Sequence, residues 1–174
     1  WDGSSWTETT EINTARSYAF AFGIQTAGVI AGGYIPPSYG TTAVTESWHG
    51  SSWTDTGDLN TARFGIGGAG VYTAGLVSGN PSGNTETFNG SSWTEVADMN
   101  QTRTSLSSDG TSTAFIGAGG TAPGGTRYNQ TEIYNGSSWT EVADLNTSRG
   151  RQGFFGISTA CISATGTAGP PGNT

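Results

Sequence analysis

Short strand-like runs, few longer than five residues, alternate along this chain with glycine-rich polar turns. Two apolar runs come first, Tyr18-Ala19-Phe20-Ala21-Phe22 and Gly28-Val29-Ile30-Ala31, and the second ends in Gly32-Gly33. A more polar pair follows, Val44-Thr45-Glu46-Ser47-Trp48 and Ser52-Trp53-Thr54-Asp55, joined through His49-Gly50. The same junction reads Asp2-Gly3, Asn89-Gly90 and Asn135-Gly136 elsewhere. Asn-Gly and Asp-Gly favour two-residue hairpin turns in which both central residues take positive φ, so each junction predicts such a hairpin. A polar turn, Gly57-Asp58-Leu59-Asn60-Thr61, then leads into the next pair of apolar runs. The pattern predicts units of four short antiparallel strands.

The unit recurs in register. Gly-Ser-Ser-Trp-Thr stands at 3–7, 50–54, 90–94 and 136–140, which places Trp6, Trp53, Trp93 and Trp139 at spacings of 47, 40 and 46. Arg16, Arg63, Arg103 and Arg149 each follow their Trp by ten residues, with Asn13, Asn60, Asn100 and Asn146 three before each Arg. Glu46, Glu86 and Glu132 precede three of the tryptophans by seven. A fixed period of this length marks a repeat architecture. Glycines closing the second run (Ala31-Gly32-Gly33), an aromatic ending the third (Trp48), Trp in the fourth (Trp53) and a downstream Arg (Arg63) together resemble the kelch repeat. Departures are Ser78-Gly79-Asn80 and Ala164-Thr165-Gly166 in place of the double glycine, and units shorter than the roughly 50 residues usual for kelch. The Gly-His and Trp-Asp pairs of WD40 propellers are missing at the repeated positions. The Asn-Gly-Ser-Ser-Trp-Thr-Glu style is also similar to degenerate kelch-like arrays of bacterial and phage surface proteins.

The resemblance implies an all-β fold: a β-propeller of four blades with four antiparallel strands each. It also implies that Arg63 begins an inner strand lining the channel and that Trp53 lies on an outer one. The chain reads as one domain, residues 1–174, with repeats at about 16–56, 63–97, 103–143 and 150–174, the last completed by 1–10. The expected closure pairs outer strands from Trp1–Thr10 with inner strands from 150–165, because Gly172-Asn173-Thr174 matches Gly83-Asn84-Thr85 and Trp1 matches Phe88. Closure within one monomeric chain is the simpler expectation. An eight-bladed dimer, or a segment of a longer ring, is the alternative, since the sequence starts at Trp1 inside a repeat.

Composition narrows the function. Hydrophobic residues are only 33%, but aromatics reach 11% at fixed places and charged residues are only 11%, which suits a turn-rich β-repeat better than disorder. The net charge of −7, with no Lys, argues against nucleic acid and anionic membranes as partners. No run approaches the ~18 apolar residues of a membrane helix. The lone Cys161, in Ser158-Thr159-Ala160-Cys161-Ile162, reads as a buried structural thiol. One His and one Cys cannot supply the Tyr, His and Cys ligands of kelch-type copper oxidases, so no metal and no cofactor is expected. Most acids stand at repeated positions and offer no asymmetric pair for glycoside hydrolysis.

The repeated Arg, Glu and Trp residues therefore read as structural. The non-repeated loops between second and third strands carry Tyr34, Tyr39, Arg127 and Tyr128. Tyr and Arg are favoured at recognition surfaces, so these four are the candidate ligand contacts. The sequence reads as a non-enzymatic binding or scaffolding module for a protein or glycan, with an extracellular or virion-surface setting. The alternative is a lectin with one pocket per blade, and a glycoside-acting enzyme stands behind both.

Overall fold

The computed structural model describes residues 1–80 and 82–168, in which every regular element is a strand. In chain order these are β1 (Phe20–Ile24), β2 (Ala27–Ala31), β3 (Tyr34–Ile35), β4 (Gly40–Thr41), β5 (Thr45–Trp48) and β6 (Trp53–Asp55). Next come β7 (Gly67–Val71), β8 (Ala74–Ser78), β9 (Thr85–Phe88) and β10 (Trp93–Val96). The third repeat supplies β11 (Ser107–Thr111), β12 (Ala114–Ala118), β13 (Thr131–Tyr134) and β14 (Trp139–Val142). The last supplies β15 (Arg149–Gly150), β16 (Gly153–Ile157), β17 (Ala160–Ala164) and β18 (Thr167–Ala168). Three antiparallel four-stranded sheets result: β1-β2-β5-β6, β7-β8-β9-β10 and β11-β12-β13-β14. These are the blade-like units that the repeat predicts. β16 and β17 form a two-stranded sheet, and β15 pairs with β18.

Two local devices recur in each unit. The first is a glycine four residues into the first strand: Gly23, Gly70, Gly110 and Gly156, with φ between +117° and +135°. A Cβ there would come within 2.4 Å of the carbonyl oxygen of Ala27, Ala74, Ala114 or Ala160, so only glycine fits the bend before the tight β1–β2-type turn. The second is the Asn-Gly-Ser-Ser loop. It is not the two-residue turn expected, because the registers Trp48↔Trp53, Phe88↔Trp93 and Tyr134↔Trp139 leave four residues between strands. Of each leading pair only the glycine has positive φ. The reason is side-chain chemistry: Asn89 Oδ1 accepts the N–H groups of Ser91 and Ser92, at 3.0 Å each, and closes the loop itself. Asn135 does the same with Ser137 and Ser138.

The sheets pack face to face. Between the first and second, Val29, Ala31, Leu59 and Ile66 bury Phe88 and Trp93, with Phe20 and Phe22 alongside. Between the second and third, Leu76, Met99 and Leu106 enclose Phe115, Tyr134 and Trp139. The tryptophan of the second sheet and that of the third thus each fill the seam with the sheet before it. Its indole N–H finds a partner there: Trp93 donates to Thr45 Oγ1 at 3.0 Å and Trp139 to the Ala97 carbonyl at 2.8 Å.

The repeated ions tie each connector to its own sheet. Arg16 pairs with Glu46, Arg63 with Glu86 and Arg103 with Glu132, all with fully buried side chains. The other carboxylate oxygen accepts the backbone N–H of Asn13 (2.6 Å), Asn60 (2.8 Å) or Asn100 (2.8 Å). The second guanidinium nitrogen reaches carbonyls, for example Arg103 Nη1 to Gln130 at 2.6 Å. Burial pushes the Arg63 and Arg103 guanidinium groups below their ordinary pKa, and Glu86 and Glu132 oppose that shift. Arg149 meets only the carbonyls of Thr147 and Thr165 and has no carboxylate partner among the described residues.

The fourth unit departs from expectation. Residues 1–10 contain no strand, and among the described residues β17 pairs only with β16. The predicted pairing of Trp1–Thr10 with 150–165 is not made. Instead the segment is held on the first sheet: Trp53 Nε1 donates to the Thr10 carbonyl (3.2 Å), Thr10 Oγ1 to Ser51 (3.0 Å) and Gln25 Nε2 to Trp1 (3.3 Å). As a result Trp6, one of the four repeat tryptophans, is 83% exposed. Cys161 is exposed too, contrary to the buried thiol expected, because β17 is an edge strand. The fourth-repeat loop 169–174, on which the expected closure drew, lies outside the described residues.

Candidate functional site

Residues at or just before the first strand of each of the four units line a common cavity of about 460 Å3. Its mouth is built from a single repeated backbone position, two residues after each repeated Arg. Tyr18, Gly65, Ser105 and Arg151 stand there, and all four take φ between +53° and +59°. Three of these residues are not glycine, so each accepts a left-handed conformation that L-residues seldom adopt. A chain of backbone hydrogen bonds holds them. Gly65 N–H donates to Tyr18 (3.0 Å), Ser105 N–H to Gly65 (2.6 Å) and Arg151 N–H to Ser105 (3.0 Å). The scaffold is thus uniform around the mouth, while its side chains are a phenol, none, a hydroxyl and a guanidinium.

Aromatic rings extend the mouth on one side. Tyr18 packs edge-on to Tyr34 at 6.0 Å, and Tyr34 stacks on Phe64 at 4.1 Å. Burial, and secondarily Tyr18, push the Tyr34 phenol above its ordinary pKa. On the other side the exposed Arg151 guanidinium has no hydrogen-bond or ion-pair partner among the described residues. Deeper in, Gln152 donates from Nε2 to the Ala118 carbonyl at 3.1 Å, and its buried Oε1 has no partner. The mouth therefore offers a stacking surface, donors and one unpaired cation to a polar or anionic group.

No family model matches the chain, and no curated protein matches it.

The four sequence-predicted contacts divide between two loops. Tyr34 and Tyr39 sit on the β3–β4 hairpin, where Tyr34 pairs with Thr41 and Tyr39 is largely exposed with φ +54°. Arg127 donates from Nη1 to Thr121 Oγ1, and Tyr128 is pinned by its backbone N–H to the Gly120 carbonyl at 3.0 Å. Only Tyr34 joins the cavity mouth, through Tyr18. The other loop of interest, in the second unit, includes Pro81, which lies outside the described residues. Sequence reasoning missed Tyr18, Ser105 and Arg151. The signal was available: the position two after each repeated Arg is in register but never carries the same residue twice. His49 is a loop residue, 3.1 Å from Ser47 Oγ through Nε2 and edge-on to Tyr72 at 5.3 Å.

Proposed function

We propose that the four repeats are blades of a kelch-like β-propeller that acts as a non-enzymatic binding or scaffolding module, its loop face contacting a protein or a glycan. The observation that supports this is the ring of left-handed residues around the cavity mouth. There a repeated backbone presents four unlike side chains, Tyr18, Gly65, Ser105 and Arg151. The Arg and Glu residues repeated through the first three units, such as Arg63 and Glu86, are consumed in buried pairs. Residues that differ between units at a rigidly held position, exposed at Tyr18 and Arg151 and half-buried at Gly65 and Ser105, are free to select a ligand. Tyr and Arg are also the side chains that most often anchor recognition. Tyr39 and the Arg127-Tyr128 loop supply further contacts in this reading. It assigns the protein no reaction, metal or cofactor.

A mixed array of glycans and peptides tests it. The expected result is selective retention of some members at one site per chain. Replacing Tyr18 by Ala together with Arg151 by Gln should weaken that retention at least tenfold and leave the melting temperature nearly unchanged. Retention of nothing, or retention indifferent to the double variant, overturns the reading. The lectin alternative gives a different signature: saturation at several sugars per chain, insensitive to changes at the mouth.

A further inference from the structure

The seam between the third sheet and the β16–β17 hairpin contains an empty tryptophan socket. In the first seam Trp93 lies against Val29, Ala31 and Leu59 and donates to Thr45. Counting along the repeat, the equivalents in the third seam are Ile116, Ala118, Leu145 and Thr131. Those four residues line a cavity of about 260 Å3. No indole occupies it, whereas Trp93 and Trp139 are 6% and 8% exposed in the two seams before. The exposed member of the set is Trp6, at 83%, with its ring 5.5 Å from that of Trp1.

The two ends of the array match in a second way. In the first seam the Phe22 ring lies where a Cβ on Gly75 would stand, 2.1 Å from the ring carbon. Phe155 is the fourth-unit equivalent of Phe22, and it is exposed together with Ile157 and Ile162. Gly28 is the first-unit equivalent of Gly75, on the open side of the first sheet. A large side chain without its glycine and a glycine without its large side chain thus stand at opposite ends of one chain.

We propose that a second copy completes both ends, head to tail. Trp6 of each copy enters the Ile116–Ala118–Thr131–Leu145 socket of the other, and each Phe155 covers the other's Gly28. The segment 1–10 is already placed for this. Its bond from Trp53 Nε1 to the Thr10 carbonyl reproduces that from Trp139 to Ala97 between successive sheets. It therefore occupies, against the first sheet, the place of a preceding sheet's outer strand. The chain's own β17 is not there. Tyr18 and Arg151 would be neighbours in a ring closed on itself, but the backbone bond that joins the three other successive pairs is not made between them. Three packed seams set the turn from β1 to β16. A second copy satisfies both ends without repacking those seams.

Light scattering on the 174-residue chain, with 5-fluorotryptophan incorporated for 19F NMR, tests the proposal. The expected species has twice the 17.8 kDa chain mass. Its Trp6 resonance, assigned by its loss in Trp6→Phe, should move on dilution as dimer gives way to monomer. Trp6→Ala should lower the dimer affinity at least a hundredfold, and Ala118→Glu, which charges the socket from the other side, should do the same. Both should remain folded as monomers, shown by unshifted Trp93 and Trp139 resonances. A monomeric wild-type chain at millimolar concentration overturns the proposal, whether Trp6 is then exposed or buried in its own chain's socket. So does a dimer that both variants leave intact.

Discussion

Glu86 should be among the least replaceable residues of the protein. Its side chain is fully buried, one oxygen accepting from Arg63 Nη2 and the other from Asn60 N and Nδ2, at 2.8 Å each. Glu86→Gln preserves the shape and removes the charge. It leaves the Arg63 guanidinium buried without a counter-ion, and it sets an amide N–H against donors that need an acceptor. Breaking a buried pair from one side costs about 3–5 kcal/mol, set against the roughly 5–15 kcal/mol that holds a domain together. With a urea slope of about 2 kcal/mol/M, the unfolding midpoint should fall by roughly 2 M. Tryptophan fluorescence reads the transition, because Trp93 is buried against the same sheet. Arg63→Met leaves the Glu86 carboxylate buried without its counter-ion and should cost a similar amount. The double variant Arg63→Met with Glu86→Gln should be more stable than the sum of the singles implies, by about 0.5–3 kcal/mol. A Glu86→Gln midpoint within 0.5 M of wild type (about 1 kcal/mol at that slope), or strict additivity in the cycle, refutes the argument that charge pairing holds the connector.

Two further substitutions probe the seams. Gly75→Ala places a Cβ 2.1 Å from the Phe22 ring; overpacking of this kind costs about 1–3 kcal/mol, whereas Gly40→Ala meets nothing closer than 3.8 Å and should be near neutral in the same melt. Trp93→Ala empties the first seam and removes the bond to Thr45, and should destabilise by about 3–5 kcal/mol in urea titration, with a smaller loss meaning that the seam collapses around the gap.

The sequence made the period and the strand count of the first three units legible, because each is repeated in register. The Arg–Glu pairs, 23 to 30 residues apart, were not legible, since spacing does not say which carboxylate a buried guanidinium meets. The Asn-Gly junctions misled for a physical reason. The dipeptide is read as a turn through its backbone preference, but Asn89 and Asn135 act through Oδ1, which needs the two serines that follow. Asp2 makes the same bonds to Ser4 and Ser5 with no strands around it, and they hold its carboxyl well below the usual pKa range. The candidate site was half legible. Tyr34 was found as an amphipathic loop residue, whereas Tyr18 and Arg151 were hidden beside the repeated Arg. A one-residue view sees Tyr18 as the start of an apolar run, and only its φ of +55° shows that it turns out of that run.

The fourth unit was illegible because strand pairing there depends on geometry that local pattern does not encode. Residues 153–164 read as strands and are strands. What the pattern cannot show is which edge the segment 1–10 will take, since the first sheet and β17 both present one. The seams themselves decide such questions, and they are not interchangeable. Phe22 meets Gly75 in the first, and Ala69 shares a core with Phe115 in the second. In the third, Asp109 Oδ2 accepts the Gly156 N–H at 2.8 Å and Ser107 Oγ donates to the Gln152 carbonyl at 2.7 Å. Bulk shifts from the earlier sheet to the later one between the first seam and the second, and polar bonds take its place in the third. A repeat moved to another position would set Phe22 against Phe115, or bury Asp109 against an apolar face without its partner. The repeated Arg, Glu and Asn residues therefore tie a connector to its own sheet, the repeated Trp93 and Trp139 pack one sheet on the next, and the positions that differ inside the seams fix the order of the sheets.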